Sequence, residues 1–130
     1  MIVDSSAMVA ILRQESTGDL CLRTVLSAPV VRISAAGYLE TAIVLTHVPL
    51  RELSAELEEL LDFARIVIEP VTAEQAQIAR EAHRRYGRGS RHRARLNFGD
   101  CFAYEAAKER KAPLLYVGDD FARTDIEGVL

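Results

Sequence analysis

Met1-Ile2-Val3-Asp4-Ser5-Ser6-Ala7-Met8-Val9-Ala10-Ile11-Leu12 opens the chain with a short apolar run, a carboxylate, two hydroxyls and then an apolar helical pattern. That order reads as a strand entering a helix with an acid at the join. Working outward, a second helix runs from about Thr17 to Leu26 and stops before Pro29, and 30–33 reads as a strand. Ser34 can cap a helix that continues to about His47, where Pro49 breaks it. Leu53, Leu57, Leu60 and Leu61 repeat at helical spacing with acids between them, which predicts an amphipathic helix over 50–63. A third strand spans 65–69, bounded by Pro70. Thr72 begins a helix reaching about Tyr86, with Ala76, Ala79, Ala82 and His83 along one side. After a Gly/Arg/Ser loop at 87–95, residues 97–111 are helical. Pro113 ends that helix, and 114–117 form a fourth strand before Gly118-Asp119-Asp120-Phe121.

Strands alternating with helices predict an α/β fold, a mostly parallel sheet of four to five strands covered by helices. Ligands of such sheets gather at the carboxyl ends of the strands. Asp4 follows the first strand directly and Asp119 and Asp120 follow the fourth, so the fold places these acids at one edge.

The chain has 130 residues, 49% hydrophobic and 27% charged, with neither a repeat nor an interdomain linker, which fits a single domain over 1–130. No stretch approaches the roughly 18 consecutive apolar residues of a membrane span. Asp4 stands where a secretion signal would carry basic residues, so a cytoplasmic protein without membrane attachment is expected. Cys21 and Cys101 lack metal-ligand spacing and read as small buried apolar residues. The net charge of −3 is unevenly spread. Arg80, Arg84, Arg85, Arg88, Arg91, Arg93 and Arg95 are opposed within 80–95 by Glu81 alone, so that segment carries +6 and the rest of the chain −9. A basic stretch made only of arginine suits phosphate, because the guanidinium fork matches phosphate geometry. Most charge runs are merely solvated helix ends, and that reading competes here.

The acids have structural readings of their own. Asp4 could cap the first helix, and Asp100 could close a capping arrangement with Asn97. Glu40 is different, since its neighbours one turn away are Ala36, Gly37, Ile43 and Val44, and no lysine or arginine of its own helix offsets it. A partner arginine from elsewhere could neutralise it. A metal shared with Asp4, Asp100 and Asp119 or Asp120 explains more, because close carboxylates repel unless a cation binds them. An all-oxygen site without His or Cys suits Mg²⁺, with Mn²⁺ able to substitute, and disfavours zinc.

Four segments carry a resemblance: the opening Met1 to Val9, Tyr38-Leu39-Glu40-Thr41-Ala42, Leu96-Asn97-Phe98-Gly99-Asp100-Cys101-Phe102-Ala103-Tyr104, and Leu114 to Phe121. Together and in this order they resemble the acidic motifs of PIN domains, and more narrowly those of VapC toxins of bacterial type II toxin–antitoxin pairs. The resemblance implies a PIN-like α/β/α sandwich and a magnesium-dependent endoribonuclease that hydrolyses RNA phosphodiesters by metal-activated water. Its catalytic and metal-holding acids would be Asp4, Glu40, Asp100 and Asp119 or Asp120, with Asp120 preferred because it precedes Phe121. Ser6 matches the family's hydroxyl near the metal and Asn97 its polar neighbour; Ser5 replaces the usual threonine and keeps the hydroxyl. Arg85, Arg88, Arg91, Arg93 and Arg95 would bind the RNA backbone beside the cut. The resemblance further implies structured RNA as substrate, a cognate VapB-like antitoxin and a homodimer.

Two other readings compete. A doubly wound phosphatase or phosphotransfer domain would want a second acid where Ser6 stands, or paired acids early and a late lysine. A PIN-fold RNA-binding module without catalysis would have lost carboxylates, and all are present. His83 reads as packed or half-buried, His92 as solvated, Tyr104 as a space-filling neighbour of the acids and Asp125 as a surface residue.

Overall fold

The computed structural model describes residues 1–47 and 53–130, so the expected break at Pro49 and the expected helix start at Leu50 lie outside the described residues. Among those described, strands β1 (Ile2–Val3), β2 (Arg32–Ser34), β3 (Val67–Glu69) and β4 (Leu114–Leu115) alternate with helices α1 (Ser5–Leu12), α2 (Gly18–Ser27), α3 (Ala35–Leu45), α4 (Ser54–Phe63), α5 (Ala73–Tyr86) and α6 (Phe98–Arg110). Helix starts follow the side chains that can accept a backbone proton. Ser34 Oγ accepts from the Gly37 N–H at 3.0 Å. Thr72 and Gln75 form a reciprocal capping box on α5, as do Asn97 and Asp100 on α6.

The strands are shorter than the sequence predicts, for local reasons. Arg65 sits at φ 52°, outside strand geometry, so β3 cannot begin there. Val117 gives its N–H to Ser6 Oγ at 3.0 Å instead of to a strand, which ends β4 early. Ser34 is both the last residue of β2 and the cap of α3, because a capping residue already has extended backbone.

The sheet is wholly parallel in the order β3-β2-β1-β4. Ile2 pairs with Arg32 on one side and with Leu114 on the other. Leu114 also bridges Gly128, a rudimentary fifth strand position. Alternation along the strands then sorts the core into two layers. Val3, Ile33 and Leu115 pack with Met8, Cys21, Val25, Leu45 and Leu57 from α1 to α4. Ile2 and Leu114 pack with Ala79, Ala82 and Tyr86 of α5, Ala103, Ala106 and Ala107 of α6, and Phe121. The arrangement is an α/β/α sandwich. Both cysteines are free and buried, as expected.

This layering fixes where a site can form. The chain winds outward from β1 through β2 to β3, then crosses to the other side of β1 to lay down β4. The order therefore reverses between β1 and β4, and the crevice beyond their carboxyl ends is the switch point at which open α/β sheets hold ligands. Asp4 and the segment after β4 flank that crevice. Among the described residues no helix is long and apolar enough to cross a membrane.

Candidate functional site

Asp4 leaves β1 in extended backbone and caps α1, its Oδ2 accepting from the Ser6 N–H at 2.9 Å and from Ser6 Oγ. Since Ser6 Oγ also accepts from Val117, one hydroxyl ties the end of β1 to the turn after β4. Asp4 is buried, and burial first, then the charge of Glu40, raises its pKa against the Ser6 hydrogen bonds.

Asp100 arrives from the opposite layer at the first turn of α6. Its Oδ2 accepts from the Asn97 N–H at 2.6 Å, and its own N–H donates to Asn97 Oδ1 at 2.9 Å. The capping role expected for Asp100 is thus real, and so is its place among the acids. Burial, followed by the charges of Asp4, Asp120 and Glu40, pushes its pKa up to about 6 despite the Asn97 hydrogen bond.

Glu40 corrects one step of the sequence reasoning. Of its helical neighbours Gly37 is buried, but Ile43 and Val44 are exposed, so Glu40 is half-buried rather than enclosed by an apolar face. What approaches it is the first turn of α6: a Cβ on Gly99 would lie 2.4 Å from both of its carboxylate oxygens. Only glycine lets the carboxylate sit there, beside N–H groups that favour negative charge. Ser5 Oγ donates to Glu40 Oε2 at 2.8 Å, so the hydroxyl after Asp4 holds the second acid. Gly99 and Ser5 thus seat Glu40, roles that their sequence neighbourhoods do not reveal.

Asp119 and Asp120 follow β4 and are both exposed. Asp120 is near enough for its charge to act on Asp100, and Asp119 and Asp120 share one groove wall. Among the described residues, no arginine, lysine or histidine forms an ion pair with Asp4, Glu40, Asp100 or Asp120; the pairs present are Arg13–Glu15, Arg32–Glu69, Arg84–Glu81, Lys108–Asp125 and Arg110–Glu69. Among the described residues the partner arginine considered for Glu40 is therefore not found. Nor do three His, Cys, Asp or Glu side chains among the described residues converge into a ready-made metal cage.

The arginine segment lies against these acids. A groove of about 430 Å³ is lined by Arg88, Arg93, Ala94, Arg95, Asp119, Asp120 and Arg123. Arg85 and Arg91 do not line it, and Arg85 instead stacks over the Tyr86 ring at 4.9 Å. Arg123, from beyond β4, was not anticipated. His92 is not simply solvated: its ring packs edge-on against Tyr86 at 4.8 Å and its Nδ1 accepts from the Ala94 N–H. His83 is exposed, not half-buried, on the rim of a separate apolar hollow with Phe98 and Phe102. Tyr104 donates to Asp125 at 2.8 Å, and Asp125 is an exposed residue that also pairs with Lys108.

A second buried acid cluster went unforeseen. Glu69 on β3 binds Arg32 of β2 at 2.8 Å and Arg110 of α6 at 2.7 Å. Glu105 of α6 is 1% exposed and its Oε1 has no hydrogen-bond partner. Burial, then Glu109 and Glu69, push its pKa up to about 7, against Arg110.

Comparison with known proteins is consistent with this geometry. The family model described as PIN domain matches residues 1–127. The chain is 47% identical over 130 residues to Ribonuclease VapC28 of Mycobacterium tuberculosis, covering 100% of this chain and 98% of that one. It is 46% identical over 129 residues to Ribonuclease VapC of Mycolicibacterium smegmatis, covering 99% of each. Among solved structures it resembles VapC20 of Mycobacterium tuberculosis, titled a sarcin–ricin loop cleaving toxin, with a TM-score of 0.79, 20% identity and coverage of 98% and 97%. A toxin–antitoxin complex from Klebsiella pneumoniae follows the fold with a TM-score of 0.68 at 14% identity, covering 95% of this chain and 92% of that one.

Proposed function

Because the chain belongs to the PIN domain family and, within it, to the VapC ribonucleases, we propose that it is a magnesium-dependent endoribonuclease acting as the toxin of a toxin–antitoxin pair. The observation that carries this reading is the burial of Asp4 and Asp100 beside Glu40 and Asp120, with no ion-paired cationic side chain on these acids among the described residues. Such a group costs energy unless a cation is supplied from outside.

The donor set fits Mg²⁺, or Mn²⁺ in its place. All donors are carboxylate oxygens, which suits a hard ion that keeps several waters and takes only one or two carboxylates directly. When bound, the ion supplies Lewis acidity and a positive charge for the phosphate oxygens. Asp4 and Asp100, from opposite layers of the sandwich, would hold it, and Glu40 and Asp120 would add negative charge around it. Ser6 and Asn97 fix the rotamers of Asp4 and Asp100, and Ser5 with Gly99 seats Glu40. Water attacks phosphorus in line, the bond to the 3′-oxygen breaks, and the products are a 5′-phosphate and a 3′-hydroxyl.

The substrate is a structured RNA held through its backbone by the arginine groove. A VapB-like antitoxin is the cognate partner, and the toxin works in the cytoplasm as a homodimer. Asp100→Asn tests the reading: the amide still caps α6, so the fold persists. Mg²⁺-dependent RNA cleavage should vanish and Mg²⁺ binding by titration calorimetry should nearly vanish. Retained cleavage by the pure variant removes Asp100 from the site.

A further inference from the structure

We propose that the groove beside Asp120 is a built subsite for a nucleic-acid backbone phosphate, formed by Arg88, Arg93 and Arg95 and closed by Arg123 from a separate segment of the chain. The inference rests on the ribonuclease reading and adds to it a residue outside the basic run, while removing two within that run from the contact surface.

The first argument is charge without partners. Arg13, Arg32, Arg84 and Arg110 each meet a carboxylate within 4 Å. Among the described residues none of the four arginines lining the groove does so, although Asp119 and Asp120 share its wall. Four guanidinium groups against two carboxylates leave the hollow of about 430 Å³ with a net positive charge that an anion neutralises. The guanidinium fork matches a phosphate, and two segments approaching from different directions can donate to it on several sides.

The second argument is that the arginines stand on a fixed frame. The Arg88 N–H donates to Leu96 O at 3.0 Å and the Leu96 N–H to Tyr86 O at 2.9 Å, closing the neck of the 87–96 loop. Ala94 is buried within it and His92 packs on Tyr86. Gly89, Arg91 and Arg95 all have positive φ, a backbone that arginine rarely adopts and that persists only where surroundings over-determine it. A solvated charge run needs no such frame, whereas a binding loop gains affinity from one, since less ordering remains to be done on contact. Arg91 points the frame's lesson the other way: it belongs to the loop, yet lies off the groove.

The position relative to the acids gives the subsite its role. Asp120 belongs to both the groove wall and the group of charges acting on Asp100, so a phosphate in the groove is a near neighbour of the one being cut. Arg123 is thus a positioning residue for the strand and does not touch the reacting atoms.

The test uses the full chain, a short fluorescein-labelled single-stranded oligoribonucleotide and fluorescence anisotropy in EDTA, over a series of salt concentrations, with cleavage in Mg²⁺ assayed in parallel. Arg123→Gln should weaken binding roughly fivefold to tenfold and lower the salt slope by about 0.7, the loss of one single-strand phosphate contact. In cleavage it should raise KM more than it lowers kcat. Arg91→Gln should leave the slope unchanged, as should Arg84→Gln, which removes a paired arginine outside the groove. All three residues are exposed, and unchanged melting temperatures establish that the variants fold. If Arg123→Gln matches wild type in slope and Kd, or if Arg91→Gln loses as much, the subsite is wrong while cleavage by wild type leaves the ribonuclease reading standing. If wild type fails to cleave RNA yet Arg123→Gln still loses slope, the subsite stands and the ribonuclease reading falls.

Discussion

Replacing Gly99 with alanine should separate the stability of this protein from its activity. The new methyl would meet both oxygens of Glu40 at 2.4 Å, against an ordinary carbon–oxygen contact of roughly 3.3 Å. The carboxylate must therefore withdraw by about 1 Å. It can do so cheaply, because it is the end of a flexible side chain held there by one hydrogen bond from Ser5. The fold should not suffer, and alanine in place of a helical glycine normally adds about 0.4–1 kcal/mol by restricting the unfolded chain. Catalysis should suffer, since a misplacement of about 1 Å in a site of this kind can cost roughly 100-fold. Expected are a melting temperature in EDTA equal to or above wild type, weaker Mg²⁺ binding by calorimetry, and kcat on a fluorogenic RNA reduced on the order of 100-fold. Activity within threefold of wild type would show that Glu40 does not need its seat on α6.

Three further outcomes follow from the same geometry. Glu105→Gln addresses the buried carboxyl whose pKa of about 7 in the folded protein lies above its unfolded value, near 4.3. Its stabilising contribution is complete below about 4.3 and is lost as pH climbs toward 7, so the variant should be more stable than wild type at pH 8, on the order of 3 kcal/mol, and close to it at pH 4. Parallel pH profiles in urea denaturation would refute this. Ser6→Ala strands the Val117 N–H and releases Asp4, which should lower stability by about 1–3 kcal/mol and weaken Mg²⁺ binding; a variant as stable as wild type would mean that water replaces the hydroxyl. Glu40→Gln removes one of several like charges and should melt above wild type in EDTA while gaining less from added Mg²⁺, an idea abandoned if Mg²⁺ shifts both equally.

The parts of this protein legible in the sequence are those governed by local rules. Ser34, Thr72 and Asn97 act as caps because a hydroxyl or amide before an apolar helix has one favoured use, and each sits where that rule puts it. Alternating strands and helices implied the parallel sheet, and the sheet brought Asp4 and Asp120 to one edge. What stayed hidden depends on contacts between segments distant along the chain. Nothing near Gly99 announces that Glu40 will lean on it, and nothing near Arg123 announces the arginine loop opposite. Glu105 escaped notice because α6 is buried almost all round, from Cys101 through Ala107, so no polar stripe marks which acids face solvent. Ile43 and Val44 misled in the opposite sense, being apolar and exposed.

The hydroxyl of Ser6 bonds to a residue 111 positions further along the chain. During synthesis the amino-terminal layer can collapse as it emerges, but Asp4 lacks its neighbour across the crevice until β4 and the turn after it have left the ribosome. Asp100 likewise comes late, on a helix that needs Ile2 and Leu114 beneath it. The acids therefore come together only once β4 and the turn after it are in place.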